Sequence, residues 1–136
     1  MKEGFQLHPR LAADTFAAGD LALSRLLLMN DSRYPWLILV PRREGLREIH
    51  HLDAADRLLL WEESCRVAEW MEREFQFDKL NIGALGNLVP QLHLHHVARF
   101  QTDPAWPGPV WGHSATVPYR PEEADRLLDL LRGQFG

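Results

Sequence analysis

Apolar runs and turn-forming residues alternate in the first half of the chain. A leucine-rich run over residues 21–29 and the five apolar residues 36–40 have the length and composition of buried strands. Between them, residues 30–35 read Asn-Asp-Ser-Arg-Tyr-Pro, which is typical of a turn. The pattern predicts an antiparallel hairpin. Upstream, residues 6–20 show no alternation, and only a helical turn over residues 11–14 is predicted there.

Residues 53–75 predict the longest helix of the chain. Asp53 can cap its N terminus, where a side-chain oxygen accepts a hydrogen bond from a free backbone N–H group. Apolar residues that recur at steps of three and four predict its buried stripe: Leu58, Trp61, Cys65, Ala68 and Met71. The charged residues between them, Glu62 and Glu63 included, are expected to face solvent.

The second half of the chain predicts two more strands and a closing helix. The strands are expected over residues 79–84 and 89–100, with a tight connection between them, and residues 103–112, rich in Pro and Trp, predict an ordered loop. Pro121 followed by two glutamates is typical of a helix start, so a helix is predicted over residues 121–131. This order of elements predicts an α+β fold with one long helix on one face of an antiparallel sheet.

Composition narrows the class of protein. The 136 residues suit one domain over residues 1–136, and the net charge of -4 argues against a surface for long nucleic acid. No apolar run approaches the roughly 20 residues that span a bilayer, so no membrane association is expected. The first residues lack an apolar signal core, and the single cysteine, Cys65, excludes an intrachain disulfide. These features together predict a cytoplasmic protein.

Polar side chains are concentrated on one predicted strand. Because side chains alternate along a strand, Gln91, His93 and His95 share one side, whereas His96 faces the apolar side and is expected to be buried. Three adjacent hydrogen-bonding groups form a shelf that suits an anion. The residues alone leave three interpretations open: idle solvated histidines, a two-histidine metal site, and phosphate chemistry.

The stretch over residues 87–99, Asn-Leu-Val-Pro-Gln-Leu-His-Leu-His-His-Val-Ala-Arg, resembles the signature of the histidine triad (HIT) family. That signature is His-φ-His-φ-His-φ-φ, where φ is apolar. Residues 37–42, which end in Pro-Arg, are similar to the family's upstream strand. The resemblance covers about residues 21–100, and residues 101–136 add the Pro- and Trp-rich loop and the C-terminal helix. It implies a HIT-like antiparallel sheet of about five strands, one long helix and a short C-terminal helix.

The resemblance also implies a reaction. The family consists of nucleotide hydrolases and transferases that act at the α-phosphate of dinucleoside polyphosphates or nucleoside phosphoramidates. It implies that His93 attacks phosphorus and forms a nucleotidyl-histidine intermediate, while His95 hydrogen-bonds the phosphate or the departing group. Imidazole is largely neutral near pH 7, so its lone pair is available. Gln91 occupies the first triad position, where it can donate to phosphate but cannot hold a proton, and Trp36 stands where the family often has another histidine.

Further expectations follow from the resemblance. Asn87, Asn30 and Arg99 are expected to bind the nucleotide, no metal or cofactor is expected, and the resemblance implies a homodimer joined edge to edge. Trp106 and Trp111 either line a base pocket or anchor their loop. The alternatives are a nucleotide-binding module with little or no turnover and a metal-binding protein that uses His93 and His95.

Overall fold

The computed structural model of the protein describes residues 4–136, which form three α-helices, five strands and a short 3-10 helix. In chain order the described elements are α1 (Pro9–Asp14), β1 (Thr15–Asp20), β2 (Ser24–Met29), β3 (Trp36–Pro41), the 3-10 helix Ile49–His51, α2 (Ala54–Phe75), β4 (Lys79–Gly83), β5 (Leu94–Arg99) and α3 (Pro121–Phe135). No helix among the described residues combines the length and the apolarity that crossing a membrane requires.

The strands form a single antiparallel sheet in the order β1-β2-β3-β5-β4. The predicted hairpin forms between β2 and β3, where Leu26 lies opposite Leu39. Strand β5, which carries His95 and His96, pairs with β3 on one side and with β4 on the other, so it lies inside the sheet. The predicted α+β fold, with five strands, a long helix and a C-terminal helix, is confirmed.

Each face of the sheet has its own apolar core. On one face, alternate leucines of β2 and β3 pack against α2 and α3, through residues such as Leu60, Val67 and Leu131. On the other face, Trp36, Ile38 and Val40 pack with Leu11 of α1 and with residues of the 103–112 loop. This second face is covered by a short helix and a loop rather than by a long helix, which leaves room for a cavity.

The predicted buried stripe of α2 is wrong in its first half: Met71 is buried as predicted and Cys65 and Ala68 are half-buried, but the first two residues of the stripe face solvent. Leu58 is 71% exposed and Trp61 is 66% exposed. The residues of α2 that are buried are Leu60, Glu63, Ser64, Val67, Trp70 and Met71. The prediction failed because it assigned every charged residue to solvent. Glu63 is instead buried, since its carboxylate accepts the backbone N–H groups of Leu23 and Ser24 at 2.7 and 3.1 Å.

Several predicted element limits also differ. β1 was missed because its pairing with β2 shifts register between Ala17 and Gly19, which removes regular alternation, and β2 begins at Ser24 rather than at residue 21. The strand predicted over residues 89–100 begins only at Leu94. Pro90, which has no backbone N–H group to donate, lies in the irregular segment before it. Helix α3 continues to Phe135, four residues beyond its predicted end.

Candidate functional site

A cavity of about 400 Å³ opens on the face of the sheet that α1 and the 103–112 loop cover. The strands contribute Trp36, Ile38 and His95, and His93 adjoins them just before β5. Polar side chains around the cavity are Arg10, Asp14, Asp31, Arg33, Asn87 and Ser114. The structure thus brings two of the predicted catalytic residues, His93 and His95, and one predicted substrate-binding residue, Asn87, to one cavity.

His93 is held by a hydrogen bond to the backbone. Its Nδ1 atom donates to the carbonyl oxygen of Gln91 at 2.7 Å, so Nε2 carries the lone pair. Burial lowers the pKa of His93 from its usual value of 6.5, although the bond to the Gln91 carbonyl acts in the opposite direction. The ring is therefore neutral near pH 7, which suits a nucleophile.

His95 lies beside His93, with the ring centroids 4.8 Å apart. The indole Nε1 of Trp36 donates to Nδ1 of His95 at 3.0 Å. The edges of Trp36 and Trp111 enclose the imidazole, with centroids 5.7 and 5.4 Å away. Burial, aided by the neighbouring His93 and His96, lowers the pKa of His95 to about 3.

His96 faces the opposite side of the sheet, as predicted. It is fully buried, its Nδ1 donates to the Leu94 carbonyl at 3.1 Å, and Ser64 of α2 donates its hydroxyl to Nε2 at 2.8 Å. Burial lowers the pKa of His96 to about 4. This residue connects β5 to α2 and does not reach the cavity.

Gln91 does not line the cavity, and its side chain is already engaged. Its carboxamide oxygen accepts the backbone N–H of His8 at 2.8 Å, and its amide nitrogen donates to the carbonyl of Gln6 at 2.8 Å. The predicted donation from Gln91 to phosphate therefore has no support in this geometry. The amide instead fixes the segment that leads into α1, which carries Arg10 and Asp14 to the cavity.

Two other residues predicted to bind the nucleotide also lie outside the cavity. Asn30 uses its carboxamide oxygen to accept the backbone N–H of Tyr119 at 2.9 Å. Arg99 is buried and donates to Asp103 at 2.8 and 3.0 Å and to Asn81 at 2.7 Å. Burial raises the pKa of the Asp103 carboxyl, but the Arg99 and backbone hydrogen bonds outweigh it and lower the pKa to about 2. A guanidinium in such a buried pair is occupied, so it holds the loop rather than a phosphate.

Arg33 and Arg10 line the cavity, although no pattern in the sequence indicated either as a site residue. Arg33 forms a two-point ion pair with Asp31, 3.0 Å at each nitrogen, and donates to the Ser114 hydroxyl at 2.6 Å. The turn pattern of residues 30–35 gave no signal for this role, because Ser114 is 81 positions further along the chain. Asp14 lies 3.9 Å from Arg10, so each of the two cavity arginines has an aspartate partner and the four charges balance.

The two tryptophans of the loop have different positions. Trp111 lines the cavity and contacts Trp36 edge-on, with centroids 6.4 Å apart. Trp106 instead lies against the Arg99 guanidinium at 5.8 Å. Within residues 4–136, no group of three or more His, Cys, Asp or Glu side chains has an arrangement that could hold a metal ion.

Comparison with known proteins gives a consistent result. The model of the HIT domain family matches residues 10–102. Three solved bacterial structures are similar over almost their whole length, and all three are described as histidine triad proteins. The protein from Marinobacter aquaeolei VT8 is 50% identical, with a TM-score of 0.92 and coverage of 97% of this chain and 98% of that one.

The protein from Bradyrhizobium japonicum is 44% identical, with a TM-score of 0.94 and coverage of 98% and 99%. That from Sinorhizobium meliloti 1021 is 42% identical, with a TM-score of 0.92 and coverage of 96% and 97%. No curated protein matches the sequence. The family match covers well over half of the chain and agrees with the sheet order and the paired histidines: the protein belongs to the histidine triad family.

Proposed function

We propose that this protein is a nucleotide hydrolase or nucleotidyl transferase that acts at the α-phosphate of dinucleoside polyphosphates or nucleoside phosphoramidates. The family consists of nucleotide-binding hydrolases and transferases, which supports the general class. The observation that carries the specific proposal is the hydrogen bond from His93 Nδ1 to the Gln91 carbonyl. That bond leaves a lone pair on Nε2 of a neutral ring at the cavity.

The reaction has two steps. In the first, the lone pair of His93 Nε2 forms a bond to the α-phosphorus, and the bond from phosphorus to the leaving group breaks, with its electron pair going to the leaving group. In the second, the oxygen of water or another acceptor bonds to phosphorus, the electron pair of the N–P bond returns to Nε2, and the acceptor's proton passes to solvent. His95 donates a hydrogen bond to the reacting phosphate throughout.

The polar groups and the apolar surface of the cavity support a nucleotide ligand. Asn87 has an exposed side chain at the rim and can donate its amide to a phosphate oxygen. Asp31, at 1% exposure, is paired with Arg33, and the two side chains form a fixed polar part of the lining. Apolar and aromatic groups such as Ile38 and Trp111 provide surface for a base.

Steady-state kinetics with diadenosine tetraphosphate and adenosine 5′-phosphoramidate test this proposal. His93→Asn should lower kcat by about 1,000-fold or more, because the nucleophile is lost, while calorimetry should still detect nucleotide binding. His50→Asn is the matched control, since His50 is exposed and lies outside the cavity. Cleavage that survives in His93→Asn would contradict the proposal. Binding without turnover in the wild type would favour the nucleotide-binding module instead.

A further inference from the structure

Trp36 determines which nitrogen of His95 carries the proton. An indole N–H group can only donate a hydrogen bond, so the Nδ1 atom that receives it must hold a lone pair. The neutral His95 ring therefore carries its proton on Nε2. Both residues are buried, at 6% and 7% exposure, so water does not compete for the hydrogen bond.

The same contact opposes a charged His95. Protonation of Nδ1 would direct two N–H groups at each other across 3.0 Å. The groups around the ring are Trp36 of β3, His93 and His96 on its own segment, and Trp111 of the loop, and none of them is a carboxylate. The carboxylates that line the same cavity, Asp14 and Asp31, are paired with Arg10 and Arg33, so the ring has no negative partner of its own to stabilise an imidazolium.

The two cavity histidines thus have opposite proton arrangements. His93 has its proton on Nδ1 and its lone pair on Nε2, whereas His95 has its lone pair on Nδ1 and its proton on Nε2. One imidazole can attack phosphorus and the other can only donate. His95 cannot release that proton to a leaving group, because the product would be a buried imidazolate anion.

We propose that Trp36, by holding His95 as a neutral donor, restricts the site to nucleotides whose leaving group departs as a phosphate or polyphosphate anion. This inference rests on the proposed function and selects one of its two substrate classes. A phosphate oxygen accepts the electron pair of the broken P–O bond and is stable as an anion, since its second pKa is about 6. An amine nitrogen must gain a proton before its P–N bond breaks, and neutral His95 cannot release its Nε2 proton.

Nitrogen NMR of histidine side chains tests the first part of the inference. Two-bond ¹H–¹⁵N spectra of the wild type should show His95 as the Nε2–H form from pH 5 to pH 8, with assignment from the signal missing in His95→Gln. In Trp36→Phe the preference for this form should be lost. A wild-type His95 that carries its proton on Nδ1, or that becomes charged above pH 5, would overturn the inference even if no substrate were cleaved.

Relative rates test the second part. The wild type should cleave diadenosine tetraphosphate with a kcat/KM at least about 100-fold above that for adenosine 5′-phosphoramidate, a ratio typical of a missing general acid. Trp36→Phe should reduce this preference by about tenfold, because His95 regains access to a transferable proton. His50→Asn, at an exposed position outside the cavity, should not change it. Wild-type rates within tenfold of each other would overturn the inference alone. No cleavage of either substrate would contradict the proposed function and the inference with it.

Discussion

The amide of Gln91 joins two parts of the chain that lie 83 residues apart. Its oxygen and nitrogen both bond to the backbone of the segment before α1, so a residue at a triad position serves as a clamp. The segment that leads into His93 and the segment that leads into α1, one wall of the cavity, are thereby connected through one side chain. Glutamine cannot carry a proton as histidine would at this position, but its amide holds the segment before α1 in place.

Gln91→Ala should lower the free energy of unfolding by about 1–3 kcal/mol, because two hydrogen bonds of about 0.5–1.5 kcal/mol each are lost. Urea denaturation measures this change, and hydrogen exchange should increase at the amide of His8, which donates to Gln91. Gln101→Ala, at an exposed position, should change stability by less than about 0.5 kcal/mol. Equal effects of the two substitutions would show that the clamp contributes nothing.

The buried histidines make stability depend on pH. Burial lowers the pKa of His95 to about 3 and that of His96 to about 4, whereas the unfolded chain has histidines near 6.5. Below pH 6.5 the unfolded state binds more protons than the folded state. The contribution of the neutral histidines to the free energy of unfolding is therefore complete above pH 6.5 and decreases as the pH falls. The loss should approach about 1.4 kcal/mol per pH unit for each histidine, and should continue until pH nears 4 for His96 and 3 for His95.

Urea titrations between pH 7.5 and pH 4.5 measure this slope. His96→Gln should reduce it by about a third to a half, because His95 and His93, whose pKa values are also lowered, account for the rest. The variant is less stable overall because it loses the bond to Ser64. His50→Asn should leave the slope unchanged, because His50 is exposed. A free energy of unfolding that stays constant from pH 7.5 to pH 5 would contradict the assignment of these rings as buried and neutral.

At the scale of elements, a buried carboxylate determines how α2 lies on the sheet. Glu63 accepts two backbone N–H groups in the connection between β1 and β2, so this side of the helix must face inward. With Glu63 facing the sheet, Ser64 lies within hydrogen-bond distance of His96, and Leu58 and Trp61 face solvent. The helix thus positions β5, which bears His95 and directly follows His93.

Glu63→Gln should destabilise the fold by about 2 kcal/mol, since an amide NH₂ group replaces one of the two accepting oxygens and hydrogen bonds to charged groups contribute about 1.5–3 kcal/mol. Chemical denaturation checks this value. Glu62→Gln is the matched control at the adjacent exposed position, where the change should stay below about 0.5 kcal/mol. A similar loss in both variants would contradict the buried role of Glu63.

The order of elements was predictable from the sequence, but some of their contacts were not. Periodicity and turn residues correctly predicted β3, β4 and the extent of α2, because these depend on neighbouring residues. Three features could not be predicted, because they depend on distant partners or on buried charge. They are the buried face of α2, the hydrogen bonds of Gln91 and the ion pair of Arg99. The placement of His93, His95 and Asn87 at one cavity followed from the motif. Arg33 and Arg10 could not be predicted there, because long-range packing brings them to the cavity.

At the scale of the whole molecule, one edge of the sheet and the adjoining helix face expose apolar surface. β4 is an edge strand, and its outer hydrogen-bonding groups have no partner strand in the sheet that residues 4–136 form. Trp61 of α2 and Ile82 of β4 line the same shallow groove, and Leu58 is also exposed. We propose that a second copy of the chain covers this surface and forms the homodimer that the resemblance implies.

Size exclusion with light scattering should therefore give twice the mass of one chain. Trp61→Glu should weaken the association at least about tenfold, because large aromatic side chains contribute most to such interfaces. Leu130→Glu on α3, another exposed apolar position, should leave the mass unchanged. A wild-type protein that remains monomeric at micromolar concentration would contradict the dimer.

The most direct test of the central claim is to trap the covalent intermediate on His93. The wild type and His93→Asn are mixed briefly with diadenosine tetraphosphate, quenched with denaturant at neutral pH, and analysed by intact-protein and peptide mass spectrometry. The account predicts a gain of one nucleotidyl group in the wild type, located on His93, and no gain in the variant. Cleavage of the substrate by the wild type without any adduct, or with an adduct on another residue, would contradict His93 as the nucleophile.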